Sequence, residues 1–219
     1  MTIQIIDCEQ NSPEWLAARL GIPTASEFKT LISVKKEAKD KVTRTKYLYK
    51  VVGEIITGRV EESYSNSYME RGHEQEDEAR DHYSFMTGAV PIRVGFIRNG
   101  DKGCSPDSLI GEDGGLEIKT ALPSIQCERL LRNEFPAEHK AQVQGALWIT
   151  GRQWWDFVSY CPNMPLFVTR VTRDEEYIAM LDTAVNQFNA EVAEIVERIR
   201  GYGRKPDLAG ALRASVEAA

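Results

Sequence analysis

Apolar residues in the first part of the chain recur at helical spacing between clear stop signals. Ser12-Pro13-Glu14-Trp15 supplies an N-cap with proline at the first helical position. It predicts a helix that runs to Leu20 and stops at Gly21. Thr24-Ala25-Ser26-Glu27 has the form of a capping box and predicts a second short helix. Tyr47, Leu48, Val51, Val52, Ile55 and Ile56 share a face within 43–58. A further helix is expected over 67–86, ended by Gly88.

The pattern then turns extended. Strands are predicted over 90–98, 103–110 and 115–122, the last two joined at the glycine-bounded turn 111–115 as a hairpin. Helices follow over 125–132 and 137–149, the second closed by Gly151. Strands over 153–160 and 166–172 complete a sheet of about five. Asp174 caps a long helix whose stripe is Ile178, Leu181, Val185, Phe188, Val192, Ile195 and Ile199, a spacing that suits either a coiled-coil contact or packing on its own domain, the second being favoured. The expected fold is α/β (α+β): a mixed central sheet with helices on both sides. It forms a single domain over 1–203, with a helical N-terminal part (12–60) and a mobile tail over 204–219.

With 219 residues, such a domain can bury a core without staples. Four cysteines and three histidines lack the close spacing of a zinc site, so the thiols are expected to be reduced. There is no signal-peptide pattern, and no apolar run reaches the roughly twenty residues needed to cross a bilayer. A cytoplasmic protein with no membrane role is expected. The net charge of −6 argues against broad nucleic-acid affinity. Residues 35–50 are an exception, carrying Lys35, Lys36, Lys39, Lys41, Arg44, Lys46 and Lys50 against Glu37 and Asp40. This stretch is either a basic arm for a phosphate backbone or a solvated helix face.

Within the hairpin, Ser105-Pro106-Asp107 is followed by Glu117-Ile118-Lys119. Alternation on a strand puts Glu117 and Lys119 on one face and Ile118 in the core. Asp107 can then approach Glu117 from the neighbouring strand, and two acids so close call for a cation between them. Hard carboxylate oxygens holding Mg²⁺ can stabilise a phosphate, deprotonate a water and support a leaving oxygen. Taken alone, an acid-x-lysine pattern is more often a solvated ion pair.

Further motifs change that balance. Residues 19–27 (RLGIPTASE), 71–76 (RGHEQE), 104–107 (CSPD), 116–119 (LEIK) and 141–144 (AQVQ) occur in this order. The set resembles the phage lambda exonuclease family, the YqaJ-type viral recombinases or alkaline exonucleases of the PD-(D/E)XK nuclease superfamily, over 12–200. The resemblance implies two Mg²⁺ ions per site, with Mn²⁺ as a substitute, held by Glu76, Asp107, Glu117 and the Ile118 carbonyl. It implies that Lys119 orients and helps deprotonate the attacking water, and that Gln142 positions water or phosphate. Arg19, Ser26 and Ser105 would hold a 5′-terminal phosphate, and Met69 would be an apolar wedge at the terminal base pair. Lys35 and Lys36 are further DNA-binding candidates from the basic stretch.

Two positions depart from the family. Ser108 replaces a glycine, and the family's serine–arginine pair after the lysine strand reads Ser124-Ile125, which leaves Arg129 or Arg132 to grip the cut strand. The expected activity is a Mg²⁺-dependent 5′→3′ exonuclease on double-stranded DNA ends. It would release 5′-mononucleotides and leave a 3′ single strand for recombination. The resemblance further implies a ring-shaped homotrimer and a phage-type single-strand annealing protein as partner. The alternatives are a PD-(D/E)XK endonuclease or junction resolvase, and a non-catalytic DNA-binding module.

Overall fold

The computed structural model describes residues 2–32, 38–61 and 67–203, with the side chains of 38–40 and 67–74 left out. Lys35, Lys36 and the tail over 204–219 lie outside the described residues.

A five-stranded mixed sheet forms the centre, in the order β2-β5-β6-β7-β8. Its strands are β2 (Pro91–Ile92), β5 (Ser108–Ile110), β6 (Gly114–Thr120), β7 (Trp154–Tyr160) and β8 (Phe167–Thr172). Strands β6 and β7 pair in parallel; the other neighbours are antiparallel. The parallel pair requires a crossover, supplied by α5 (Pro123–Arg132) and α6 (Lys140–Thr150).

The extended stretches predicted over 90–98 and 103–110 are each divided between two sheets. β3 (Phe96–Asn99) and β4 (Lys102–Cys104) join β1 (Ile3–Ile6) in a separate three-stranded antiparallel sheet. Strand β1 was not predicted, because four residues with one mostly exposed face give little periodic signal. The second crossing between sheets falls at Ser105-Pro106-Asp107, where proline cannot donate to a ladder.

Alternation assigns each sheet face. Leu116, Ile118, Val158 and Tyr160 pack with Ala79 and Tyr83 of α4 (Ser67–Thr87). Trp155 faces the other way, into a core with Val143 and Leu147 of α6 and with Leu181, Val185 and Phe188 of α7 (Glu175–Arg200). Helices α2 (Phe28–Ile32) and α3 (Ala38–Thr57) close that side against α7. Buried Asp156 clamps α4 to the sheet: Tyr83 donates to it at 2.6 Å, and Arg170 makes two bonds of 2.8 Å.

Three local expectations need correction. Thr24 makes no side-chain cap, its hydroxyl lying 3.2 Å from Ser26 Oγ instead, and Ala25–Glu27 is a 3-10 turn leading into α2. On α7 the last buried position is Val196, whereas Ile199 is 47% exposed, because 3.6 residues per turn carry a long stripe around the helix. Arg44, within the basic stretch, is used internally and forms two 2.8 Å bonds with Glu191 of α7.

Two close approaches depend on glycine. A Cβ at Gly145 of α6 would lie 2.6 Å from the Phe28 ring, so glycine lets the Ala25–Phe28 turn rest on α6. A Cβ at Gly115 would meet three ring atoms of Trp155 at 2.3–2.4 Å, and Trp155 is fully buried. Gly115→Ala should therefore overpack the sheet and destabilise the protein by about 1–3 kcal/mol. The expected reading is a lower urea midpoint at an unchanged slope.

Candidate active site

Side-chain contacts replace the β5–β6 ladder beyond Ser108. The Ile118 N–H donates to Asp107 Oδ2 at 2.5 Å. Gln10 Nε2 donates to the carbonyls of Pro106 at 3.0 Å and Val94 at 3.1 Å, which binds the start of the chain to the crossing. Glu117 and Lys119 leave β6 on the face opposite Ile118, as alternation requires, and Gln142 reaches them from α6. Lys119 Nζ and Gln142 Nε2 both lie 2.6 Å from Glu117 Oε1. Glu117 is only 2% exposed, whereas the Lys119 side chain keeps about a third of its surface.

The electrostatics reflect this crowding. Burial first, and then the charges of Glu117 and Glu76, push the Asp107 carboxyl well above the usual carboxylate range; Lys119 and the Ile118 N–H oppose them. For Lys119, burial pulls downward, but Glu117 and Asp107 outweigh it and the net shift is upward. Nearby His139 is driven down to about 4, by burial first and then by Lys119 and Arg129, so its ring is neutral at physiological pH.

One cavity of about 210 Å³ is lined by Asp107, Glu117, Lys119 and Gln142 together with Arg19, Ser26 and Ser105. The two predicted groups thus meet. A parallel bridge between Thr24 and Gly103, with the Gly103 N–H donating to the Pro23 carbonyl at 3.2 Å, lays the Ser26 turn beside Ser105. Trp15, not singled out by the sequence reasoning, links two of the three residues expected to hold phosphate. Its indole N–H donates to Ser105 Oγ at 2.9 Å, and the Arg19 guanidinium stacks over its ring at 3.9 Å. An arginine four residues after a tryptophan on a helix is the signal that could have marked it.

Glu76 reaches the same region from α4: it is paired with Arg80 and lines, with Asp107, an adjoining cavity of about 420 Å³. The other candidates are dispersed. Met69 also lies on α4, its side chain outside the described residues. Arg132 pairs with Glu128 on the surface, while Arg129 donates to Ser159 Oγ at 2.7 Å and lies against His139 and Phe157. Neither lines the cavity, and Arg129, the more buried of the two, is committed to acceptors of this chain.

Among the described residues, no three His, Cys, Asp or Glu side chains form a group arranged to hold a metal ion. Asp107 and Glu117 nevertheless suit Mg²⁺, which keeps most of its waters and needs only one or two carboxylates beside a substrate phosphate. Their mutual repulsion is itself the property that a dication relieves.

A family model described as the YqaJ-like viral recombinase domain matches residues 14–153. No curated protein matches the chain. Among solved structures, LHK-Exo, an alkaline exonuclease from Laribacter hongkongensis, is 32% identical with a TM-score of 0.77. The match covers 95% of this chain and 100% of that one. LHK-Exo in complex with dAMP matches at 33% identity and TM-score 0.78, over the same shares. A phage-related exonuclease from Haemophilus somnus 129PT shares the fold at 14% identity and TM-score 0.61, over 81% of this chain and 96% of that one.

The raised Asp107 carboxyl makes a stability prediction. An acid whose folded pKa is raised holds its proton more tightly when folded, so stability falls as pH climbs above the unfolded carboxylate value. Asp107→Asn removes that penalty while keeping an acceptor for the Ile118 N–H. In chelator, the variant should be more stable than wild type by about 0.5–2 kcal/mol near neutrality, with the gap shrinking toward pH 4. Thermal unfolding across that range checks it, and an unchanged gap would dispose of the argument.

Proposed function

The chain belongs to the YqaJ-like viral recombinase family, and from that premise we propose that it is a Mg²⁺-dependent 5′→3′ exonuclease acting on double-stranded DNA ends. It would release 5′-mononucleotides and leave a 3′ single strand for phage-type annealing. The observation that carries this reading is the shared cavity, in which a phosphate grip and a carboxylate–lysine group face the same space. Holding a terminal 5′-phosphate on Arg19, Ser26 and Ser105 sets the reach to the next phosphodiester, so each cut would free one nucleotide. The dAMP bound to LHK-Exo is a molecule of that kind.

Bound divalent ions would supply charge stabilisation for the phosphate and a more acidic water. The chain's own residues account for the rest. Asp107 and Glu117 would provide the hard oxygens, with the Ile118 carbonyl as a further ligand, and Glu76 would serve a second ion. Gln142 fixes the orientation of Glu117 and offers a donor to the attacking water or a phosphate oxygen. Lys119 places a positive charge beside the phosphate. Once the carboxylate charges that hold its proton are neutralised, burial alone would act on it, and burial favours the neutral amine that accepts a proton from water. Arg19 offers the planar fork that suits a phosphate. A ring-shaped homotrimer would keep the enzyme on its strand between cuts, and a single-strand annealing protein would receive the product. Both proposals rest on the family resemblance.

Linear duplexes bearing a 5′-phosphate should be degraded to mononucleotides in Mg²⁺ and spared in chelator, with dephosphorylated ends cut more slowly. Cleavage of a covalently closed circle would favour an endonuclease instead. Lys119→Ala should lower kcat by at least about 10²–10⁴-fold while metal and DNA binding persist; normal turnover would remove Lys119 from the mechanism.

A further inference from the structure

Arg80 lies on α4 four residues after Glu76 and is 6% exposed. Its guanidinium spans two elements. Nε donates to Ser108 Oγ at 3.0 Å, and Nη2 lies 3.3 Å from the Asp107 carbonyl, both on the crossing into β5. On its own helix, Nη2 also donates to Glu76 Oε1 and Nη1 to Asp77 Oδ1 at 2.7 Å. The Ser108 hydroxyl donates to the same Asp107 carbonyl at 2.5 Å. Asp107 is therefore fixed at both ends, its carboxylate by the Ile118 N–H and its carbonyl by Arg80 and Ser108.

Burying a guanidinium is costly unless its donors are satisfied. Helix α4 does not need this one for attachment, because Tyr83–Asp156 and the packing of Ala79 and Tyr83 already dock it. The fork does something that packing cannot. Its donors have fixed directions, so acceptors on α4 and on the crossing are held at a set separation. Glu76, Arg80 and Asp107 line a cavity of about 420 Å³ that shares Asp107 with the catalytic cavity.

We propose that Arg80 is a positioning residue that sets the spacing between Glu76 and Asp107, and with it the affinity of the site for a second divalent cation. This rests on the metal-dependent reading above. A lysine would keep the charge but lose the fork, so Arg80→Lys is the informative change. Titration calorimetry of Mg²⁺ into the folded variant should show binding weakened by about 10–100-fold. The Mg²⁺ concentration for half-maximal cleavage should rise by the same factor, while the KM for DNA stays constant and saturating Mg²⁺ recovers part of kcat.

Asp77→Asn, which alters the exposed contacts to Arg80 and Arg93 and leaves the Glu76 and Asp107 contacts of the fork in place, should behave as wild type. A purely structural role would lower the Tm and leave Mg²⁺ affinity unchanged; affinity within about twofold of wild type in folded Arg80→Lys overturns the proposal. If that variant does not fold, Ser108→Ala removes one acceptor of the fork and should weaken Mg²⁺ binding several-fold; unchanged affinity there would count equally against it. Absence of Mg²⁺ binding by wild type would overturn the metal-dependent reading itself, and this inference with it, whereas wild-type binding with unaffected variants would overturn only the inference.

Discussion

A buried carboxylate, Glu117, and a half-buried one, Asp107, share one cavity beside the point where the chain passes between its two sheets, and much of the surrounding structure answers their repulsion. Glu117 receives Lys119 and Gln142 on a single oxygen, and Asp107 receives a backbone N–H that would otherwise serve the ladder. Arg80 braces the same seam from α4. Holding two acids close together at a partly buried site opposes folding. That cost is met by the hydrophobic layers on both faces of the sheet, above all the Trp155 core on one side and the Tyr83 layer on the other.

The proposed phosphate grip depends on that seam as well. Ser105 precedes Asp107 by two residues, so whatever fixes the crossing also fixes Ser105 relative to the carboxylates. Trp15 joins Ser105 to Arg19, and the bridge from Thr24 to Gly103 brings Ser26 alongside. The missing side chain at Gly145 lets this assembly settle onto the helix that carries Gln142. The two halves of the proposed site, for an end and for the next bond, are thus built on one unit.

Much of this was legible in the sequence because its signals are local. Alternation in 116–119 put Glu117 and Lys119 on one face and Ile118 in the core, and that is where they lie. The N-cap serines and aspartates marked two helix starts correctly, Ser12 and Asp174. The failures were non-local. A strand period does not reveal that residues 103–110 serve two sheets, since each half is extended whichever neighbour it pairs with. Thr24-x-x-Glu27 has the composition of a capping box, but Thr24 instead pairs with Gly103, some eighty residues later, a tertiary contact that overrides the local one. Arg80 and Trp15 looked like helix residues because their partners, Ser108 and Ser105, come from distant sequence.

The acidic net charge also becomes intelligible. Several arginines are committed to acceptors of this chain rather than left to a DNA backbone: Arg44 to Glu191, Arg170 to Asp156, Arg173 to Glu175 and Arg152 to the carbonyls of residues 110, 111 and 114. Affinity that grows with every neutralised phosphate would suit a protein that grips long stretches of duplex. A site that recognises one terminal phosphate needs few such contacts. Arg19 faces the catalytic cavity rather than a broad surface, and burial lowers its pKa against the pull of Tyr47, Glu54 and Glu27. Under the proposed function, a cation facing that cavity on an acidic body would favour ends over the interior of a duplex.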